Sequence, residues 1–233
     1  MSNIDALLIT PPSRLEVYQG LANDYAAIEP PVWSSLIANF LIKKGFTAEI
    51  LDAEAENLTH EKTAEKIAQK NPKLAIFMVY GQQPSASTQC MPGGKKTCSK
   101  LNEITSNEIK SIVIGTHASA LPKKTLEEEP YTYVCQGEGP LTVIELISFL
   151  KGKTKDLKKI PGLWYLDKDK KVCSNPSAKM FEDLDQNLPG QAWKLLDMKK
   201  YKAHNWHTFG KLDTIKSYAS LQTSLGCPFK CTF

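Results

Sequence analysis

Long apolar runs and glycine-rich nucleotide motifs are both missing from this sequence. No apolar stretch approaches the roughly 18 residues that a membrane-spanning helix needs, so we expect no membrane span. No G-x-G-x-x-G follows the first apolar run, and the chain contains no G-x-x-x-x-G-K-[ST]. Nicotinamide dinucleotide binding and P-loop phosphate chemistry are therefore disfavoured.

The sequence also has a small net charge and few cysteines. The formal net charge is +4 over 233 residues, and the lysines are scattered over predicted helix surfaces, so no nucleic-acid partner is indicated. The six cysteines lack the dense spacing of a disulfide framework, which suits a reducing compartment. The N-terminus has no charged-then-apolar export signal, so we expect a cytoplasmic protein.

Five short apolar runs alternate with segments of helical spacing. The runs are 6–10, 47–52, 74–80, 111–115 and 131–135, and helices are predicted over 32–44, from Thr59 to Asn71, from Pro92 to about Ser106, over 123–129 and from Pro140 onward. This alternation predicts a doubly wound, mostly parallel, five-stranded Rossmann-like (flavodoxin-like) α/β sheet. Its most apolar run, 74–80, is predicted to be central, and segment 13–31 is expected to be a long loop.

The pattern changes after Lys151. Residues 162–174 are typical of a small β-hairpin with a polar turn, and residues 175–190 of a linker. Residues 218–223 are predicted to be the first strand of a further domain. We therefore predict a ligand-binding Rossmann-like domain over 1–152, a hairpin and interdomain linker over 153–215, and the start of another domain over 216–233.

Four loops predicted at the carboxyl edge of the sheet consist mainly of small and polar residues. Such residues let a bulky ligand approach the backbone, and glycines at a helix start suit an anion. Ordinary turns explain any one of these loops, but four on one edge favour a ligand site. The candidate ligand-binding residues are Thr10, Pro11, Pro12, Ser13, Arg14, Tyr80, Gly81, Gln82, Gln83, Pro84, Ser85, Ser87, Gly115, Thr116, His117, Ala118, Gln136, Gly137, Glu138 and Gly139. No catalytic side chain is predicted.

Two cysteines, Cys227 and Cys231, are separated by three residues and followed by Phe233. A cysteine in the next position would complete C-x3-C-x2-C, a spacing that directs three thiolates to one iron–sulfur cluster. Cys227 and Cys231 are therefore the candidate metal ligands. A small zinc or iron site at the same two cysteines is the alternative, and the remaining four cysteines are expected to be packed or exposed thiols.

Several segments taken together resemble one enzyme family. They are Leu-Leu-Ile-Thr-Pro-Pro at 7–12, Gly-Phe-Thr-Ala-Glu-Ile-Leu-Asp-Ala at 45–53, Gly-Thr-His-Ala-Ser-Ala-Leu-Pro at 115–122, Gln-Gly-Glu-Gly at 136–139, and Thr-Ser-Leu-Gly-Cys-Pro-Phe-Lys-Cys-Thr-Phe at 223–233. In this order they look like the cobalamin-dependent radical S-adenosylmethionine (SAM) enzymes. The resemblance implies an N-terminal cobalamin domain, followed by a radical domain with a [4Fe–4S] cluster and S-adenosylmethionine. The chain would then carry only the start of that radical domain, either in cis or with the rest supplied in trans.

The resemblance also implies roles for the loops. It suggests methyl transfer to unactivated carbon with methylcobalamin as donor. Methionine-synthase-type cobalamin domains place a cobalt-ligating histidine in D-x-H-x-x-G after the first strand, whereas this chain has Thr-Pro-Pro-Ser-Arg-Leu-Glu at 10–16. We therefore expect base-off cobalamin without a histidine ligand, its lower face on the 80–87 loop with Tyr80, Gln82 or Gln83 nearest cobalt, and its nucleotide tail towards Gly115 and Gly137. Thr116 stands where the family often has glycine.

Some alternatives stay open at this point. His117 is equally consistent with a contact to cobalamin and with a surface or helix-capping role. Metal binding by His204 and His207 is disfavoured because no suitably spaced carboxylate or cysteine lies nearby. The main alternative function is a flavodoxin-like regulatory or interaction domain that has lost its ligand.

Overall fold

The strands form one mixed sheet in a computed structural model that describes residues 4–22, 26–80, 84–188, 190–203 and 218–225. The strand order is β2-β1-β3-β4-β5-β6-β7, in which β1 to β5 are parallel and β6 and β7 are antiparallel. The strands are β1 Ala6–Thr10, β2 Ala48–Asp52, β3 Leu74–Met78, β4 Lys110–Ile114, β5 Tyr133–Cys135, β6 Leu163–Leu166 and β7 Val172–Ser174.

Helices cover both faces of the sheet. They are α1 Arg14–Tyr18, α2 Val32–Lys43, α3 His60–Lys70, α4 Pro84–Thr105, α5 Thr116–Ala120, α6 Pro122–Glu128, α7 Pro140–Leu150 and α8 Leu184–Asn187, with 3-10 turns at Gln19–Ala22, Leu157–Lys159, Trp193–Leu195 and Met198–Lys200. Helix α3 begins where it was predicted, and Thr59 caps it, since Thr59 Oγ1 accepts a hydrogen bond from the Lys62 N–H at 3.3 Å. In the described part of the chain, no helix combines the length and apolar character that crossing a membrane would need.

The central strands divide their side chains between two cores. Leu8 of β1 lies in one core, against α2 and α7. Leu7 and Ile9 of the same strand lie in the other, with side chains of α3 and α4. Alternate residues of a strand point to opposite faces, so a strand buried on both sides must be apolar throughout. This arrangement confirms the predicted doubly wound α/β fold.

The C-terminal hairpin belongs to the same sheet. The predicted hairpin forms, and β6 pairs antiparallel with β5 through Tyr133 and Tyr165. The sheet therefore has seven strands rather than the five that were expected. Sequence spacing predicts a hairpin but does not predict which edge it joins, because that pairing is not local.

Several segments predicted as loops or linker contain helices, including α8 within the predicted linker over 175–190. Within 13–31, α1 forms because the Glu54 carboxylate accepts hydrogen bonds from the backbone N–H groups of Ser13 and Arg14, the latter at 2.5 Å. These are the N–H groups that a helix start leaves unpaired, and here the partner comes from a distant loop. Residues 116–120 form α5 immediately after β4.

Helix α4 begins earlier than predicted, at Pro84, and continues through Pro92. Gly93 and Gly94 lie inside the helix. A Cβ at Gly93 would clash with the carbonyl oxygen of Pro12, and one at Gly94 with the phenol of Tyr131. The glycine pair is therefore required for close packing.

Residues 218–225 contain no regular secondary structure, so the strand predicted at 218–223 is not formed here, and its assignment to a further domain stays a prediction. A strand needs a neighbouring strand for its backbone hydrogen bonds, and these residues pair with none of the seven strands. Instead, the Ser220 carbonyl accepts a hydrogen bond from Gln191 Nε2 at 2.8 Å.

Candidate functional site

A cleft of about 600 Å³ opens at the carboxyl ends of the parallel strands. β2 pairs with one edge of β1 and β3 pairs with the other, so the strand order reverses between β1 and β3. The cleft lies at this point. Ligands of open α/β sheets bind at this switch point. Its lining residues are Thr10, Ser13, Arg14, Val17, Tyr18, Ala27, Ile28, Glu29, Pro30, Pro31, Val32, Trp33, Ser34, Glu54, Met78, Tyr80, Ala86, Cys90, Thr116, Ser220 and Gln222.

One wall of the cleft is aromatic. The rings of Trp33 and Tyr80 stack with centroids 5.4 Å apart and planes 13° from parallel. Burial raises the pKa of the Tyr80 phenol above its usual value, and the neighbouring Cys135 and Glu138 add to this. Tyr80 therefore stays protonated at physiological pH, and the wall presents a flat, uncharged surface.

Two hydroxyl groups of the lining residues are left without a partner. Thr10 Oγ1 and Ser34 Oγ are buried and make no hydrogen bond with any described residue. Ser34 lies in the first turn of α2. The residue before this helix, Pro31, provides no side-chain cap. Buried polar groups in native proteins nearly always have a partner. Two such groups and an open helix start at one cleft therefore indicate a polar ligand.

A charged network borders the cleft on the α1 side. Arg14 Nε lies 3.4 Å from Glu54 Oε2, and Arg14 Nη1 donates to the Ala22 carbonyl at 2.5 Å. Glu54 also accepts from the backbone of Ser13 and Arg14. The carboxylate thereby neutralises Arg14 and fixes the loop between β1 and α1.

A buried carboxyl group, Asp52, lies at the carboxyl end of β2, beside Thr10 of β1. It accepts hydrogen bonds from the Ala55 N–H at 3.1 Å and from the Tyr201 phenol at 3.2 Å. Burial raises the pKa of Asp52 to about 7, the hydrogen bonds oppose this, and the nearby Glu54 carboxylate adds to the rise. Asp52 is therefore partly protonated at neutral pH.

The structure brings five of the predicted ligand-binding residues together at the cleft. They are Thr10, Ser13, Arg14, Tyr80 and Thr116. They come from loops after three different strands, β1, β3 and β4. This convergence agrees with the expectation that these loops meet at one edge of the sheet.

Other predicted residues of the same loops do not line the cleft but pack next to the segments that do. Pro11 and Pro12 pack near the glycine pair of α4. Ser87 is 1% exposed; its hydroxyl donates to the Val79 carbonyl at 2.5 Å and accepts from the His117 N–H at 3.1 Å.

The remaining residues of the β4 loop are also engaged. Gly115 packs against the Val79 carbonyl, and Ala118 is buried in the core shared with α3 and α4. His117 Nδ1 lies 3.0 Å from Thr88 Oγ1, an exposed contact on the protein surface.

The Gln136–Gly139 loop does not line the cleft. Gln136 Oε1 accepts a hydrogen bond from Trp164 Nε1 at 3.0 Å, so this side chain points to the hairpin. The Gly137 N–H donates to Ser119 Oγ at 2.9 Å. Glu138 lies near Tyr80 and raises the pKa of that phenol. A Cβ at Gly139 would lie 2.8 Å from Ile114 Cδ1, so this glycine allows α7 to pack on β4.

Some predicted residues lie outside the described part of the chain. They are Gly81, Gln82, Gln83, Cys227 and Cys231. Pro84 and Ser85 begin α4, but their side chains are likewise not described. The predicted cobalt contacts of the 80–87 loop and the cluster ligands therefore stay predictions.

The sequence pattern did not point to several residues of the cleft. Trp33 and Ser34 belong to the first turn of α2, and residues 27–31 lead into it. The best available signal was the Glu-Pro-Pro-Val-Trp segment at 29–33, where two prolines precede an amphipathic helix. Ser220 and Gln222 reach the cleft from a segment interpreted as a strand of another domain.

The chain has relatives among known proteins. A model of the B12 binding domain family matches residues 18–147. The chain is 27% identical over 234 residues to an uncharacterized methyltransferase, PH0819, of Pyrococcus horikoshii, covering all of this chain and 45% of that protein. It is 26% identical over 220 residues to the anaerobic magnesium-protoporphyrin IX monomethyl ester cyclase of Cereibacter sphaeroides, covering 93% of this chain and 33% of that protein.

A solved structure shares the fold. It is the cobalamin-dependent SAM radical enzyme OxsB with aqua-cobalamin bound, which matches 82% of this chain and 24% of that chain with a TM-score of 0.60 and 16% identity. The chain thus spans less than half the length of the relatives it matches. Because the family model covers more than half of the chain, from α1 into α7, the protein belongs to the B12-binding domain family.

Proposed function

We propose that this chain is the cobalamin-holding part of a cobalamin-dependent radical SAM enzyme, which methylates unactivated carbon. The observation that carries the proposal is the cleft at the β1/β3 switch point, in a chain that belongs to the B12-binding domain family. The names of the relatives, a methyltransferase and a cyclase, support the enzyme class. The coverage of 45% and 33% of those proteins leaves room for a separate catalytic domain.

The residues of the cleft fit a large ligand with both apolar and polar groups. The stacked Trp33 and Tyr80 offer an apolar surface to a flat macrocycle, and the unpartnered hydroxyls of Thr10 and Ser34 offer hydrogen bonds to amide or phosphate groups at its edge. Cobalamin, when bound, supplies a cobalt atom that can carry a methyl group. The protein's part is to orient the macrocycle and to exclude water from one of its faces.

The donor set supports a cofactor held without histidine. Of the described histidines, His60 contacts Thr97 and Glu16, and His117 contacts Thr88. Neither lines the cleft. Burial raises the pKa of Tyr80, so this phenol is uncharged at neutral pH in the cofactor-free protein. We therefore propose base-off cobalamin with no imidazole beneath the cobalt.

The cluster chemistry belongs to the whole enzyme. We propose that Cys227 and Cys231 are two of the three thiolate ligands of a [4Fe–4S] cluster, with S-adenosylmethionine bound at its open iron. Metal analysis of a Cys227→Ser variant of the full-length protein tests this assignment. Unchanged iron content after anaerobic reconstitution would contradict it.

Direct binding tests the cofactor. We expect the protein to retain hydroxocobalamin on gel filtration, with a visible spectrum and a dissociation constant below roughly tens of micromolar, about 6–7 kcal/mol of binding free energy. A flavodoxin-like domain that has lost its ligand would elute colourless. That result would remove the proposal in favour of a regulatory or interaction role.

Electron paramagnetic resonance tests the coordination. After reduction to cob(II)alamin, the bound cofactor should show no splitting from an axial nitrogen. Nitrogen splitting that disappears in a His117→Ala variant would assign an imidazole ligand. Nitrogen splitting that persists in this variant would indicate a base-on cofactor or an imidazole from another histidine. Either outcome contradicts the proposed coordination.

The aromatic wall makes a further prediction. We expect Trp33→Ala to weaken hydroxocobalamin binding about 10- to 100-fold, because it removes a large contact surface and the partner that orients Tyr80. Trp33→Phe keeps a stacking ring and should stay within about fivefold of the unmodified protein. Equal affinities for the unmodified protein and the alanine variant, measured by absorbance titration, would exclude this wall from the site.

A further inference from the structure

A segment late in the chain packs along α2 and ends beside the cleft. Residues 190–203, here called the strap, begin beside α2. The Gly190 carbonyl accepts a hydrogen bond from Asn39 Nδ2 at 2.9 Å. The Ala192 N–H donates to Ser35 Oγ at 2.8 Å. The strap thus follows the helix whose N-terminus opens into the cleft.

The end of the strap contacts residues 26–31, here called the lip. Ile28 and Lys202 exchange two backbone hydrogen bonds, of 3.0 and 2.9 Å, in an antiparallel bridge. One residue earlier, the Tyr201 phenol donates to Asp52 Oδ2 at 3.2 Å. Tyr201 is 2% exposed and Asp52 is 6% exposed, so water competes little for this bond.

We propose that Tyr201 is a positioning residue of the cofactor cleft, which holds the lip over the cofactor by tying the strap to Asp52. The Tyr201 side chain fixes the adjoining Lys202 backbone, and Lys202 in turn fixes Ile28. Residues 27–31 of the lip line the cleft, so the tether acts on its outer wall. The inference rests on the proposed cobalamin function, and it concerns how long the cofactor stays bound.

Contacts further along the chain reinforce the same wall. The Tyr218 phenol donates to Glu29 Oε1 of the lip at 3.5 Å. Gln191 of the strap donates to the Ser220 carbonyl at 2.8 Å, and Ser220 lines the cleft. The strap and residues 218–222 all follow the 18–147 segment that matches the family model. The outer wall therefore combines the lip, which lies inside the matched segment, with residues 190–203 and 218–222, which lie outside it.

Local hydrogen exchange of the cofactor-free protein tests the tether. Tyr201→Phe removes the phenol oxygen and keeps the ring, so the fold should persist. We expect the backbone amides of Ile28 and Lys202 to exchange at least tenfold faster in this variant. The amides of the central strand β3 should be unchanged, because the loss is local. Unchanged exchange at Ile28 and Lys202 would overturn the proposal, and equal acceleration in β3 would reduce Tyr201 to a general stabilising residue.

Cofactor release is the second measurement. We expect hydroxocobalamin to dissociate about tenfold faster from Tyr201→Phe, because one buried hydrogen bond is lost. Tyr165→Phe is the matched control, since Tyr165 of β6 is 7% exposed and does not line the cleft. If the unmodified protein binds no hydroxocobalamin, the proposed function is refuted. The hydrogen-exchange measurement would still show whether Tyr201 holds Ile28 and Lys202 in place. Equal release rates from the unmodified protein and Tyr201→Phe would refute the proposed role in retention.

A double-mutant cycle distinguishes positioning through Asp52 from packing. Asp52→Ala removes the acceptor, so adding Tyr201→Phe should change neither the exchange rates at Ile28 nor the release rate any further. Fully additive effects would show that the Tyr201 phenol acts on something other than Asp52. That result would overturn the proposed mechanism even if release were faster in each single variant.

Discussion

Gly93→Ala is expected to destabilise the protein by about 2–4 kcal/mol, although glycine-to-alanine changes inside helices ordinarily stabilise by about 1 kcal/mol. The reversal of sign follows from packing. The new methyl group would clash with the backbone carbonyl of Pro12 and lie 2.9 Å from Ser13 Cβ. A backbone atom cannot rotate away as a flexible side chain can, so α4 or the β1–α1 loop must move.

Urea unfolding measures this effect, and Gly20→Ala is the control. A Cβ added at Gly20 would have nothing within 4 Å, so its substitution should change the free energy of unfolding by less than about 1 kcal/mol. Because Ser13 lines the cleft, Gly93→Ala should also weaken hydroxocobalamin binding. A Gly93→Ala protein as stable as the unmodified one would show that α4 can withdraw from this loop at little cost.

We expect Asp52→Asn to abolish a pH-dependent change in the free energy of unfolding that amounts to roughly 4 kcal/mol at most. The pKa of Asp52 rises from 3.8 to about 7 on folding. Between these values the folded protein holds a proton that the unfolded chain releases. The stability contributed by this group is thus complete below pH 3.8 and is lost as the pH rises through about 7. About three pH units at about 1.4 kcal/mol each give the upper limit.

Asparagine preserves both hydrogen bonds at this position. Its side-chain oxygen can accept from the Ala55 N–H, and its amide can donate to the Tyr201 oxygen. Glu54 is one cause of the raised pKa of Asp52, and its ion pair with Arg14 is kept in both proteins. We expect Asp52→Asn to be more stable than the unmodified protein at pH 8, and this advantage should shrink towards pH 5. Urea midpoints for both proteins across that range provide the measurement, and parallel pH profiles would contradict the raised pKa.

The strands were predictable because their signal is local. Runs such as 6–10 and 74–80 are apolar at nearly every position, which a strand buried on both faces requires. The start of α3 was predictable from the Thr59 cap. By contrast, α1 depends on the distant Glu54 carboxylate, and a local pattern carries no information about that partner. The early start of α4 was missed for a similar reason, since the glycine pair at 93–94 is accommodated inside the helix by its close contacts with Pro12 and Tyr131.

The candidate site was predictable where it follows strands. Thr10 and Tyr80 were found because ligands of parallel sheets bind at the carboxyl ends of the strands. Trp33 and Ser34 were missed because they reach the cleft from the start of a helix. Their position depends on how α2 packs against the sheet. Tyr201 was missed because its partner, Asp52, lies 149 residues earlier, and a hydrogen bond over that distance leaves no periodic trace.

The strap has a consequence for building chimeric enzymes. A recombinant protein that exchanged only residues 18–147 for those of a relative would import a new lip and a new residue at position 52 while keeping the native strap. Ile28 would then face a Lys202 that had not evolved with it, and the incoming carboxylate would face the old Tyr201. An exchange that runs from before Thr10 to beyond Gln222 would transplant the lip, the strap and the described lining residues of the cleft together.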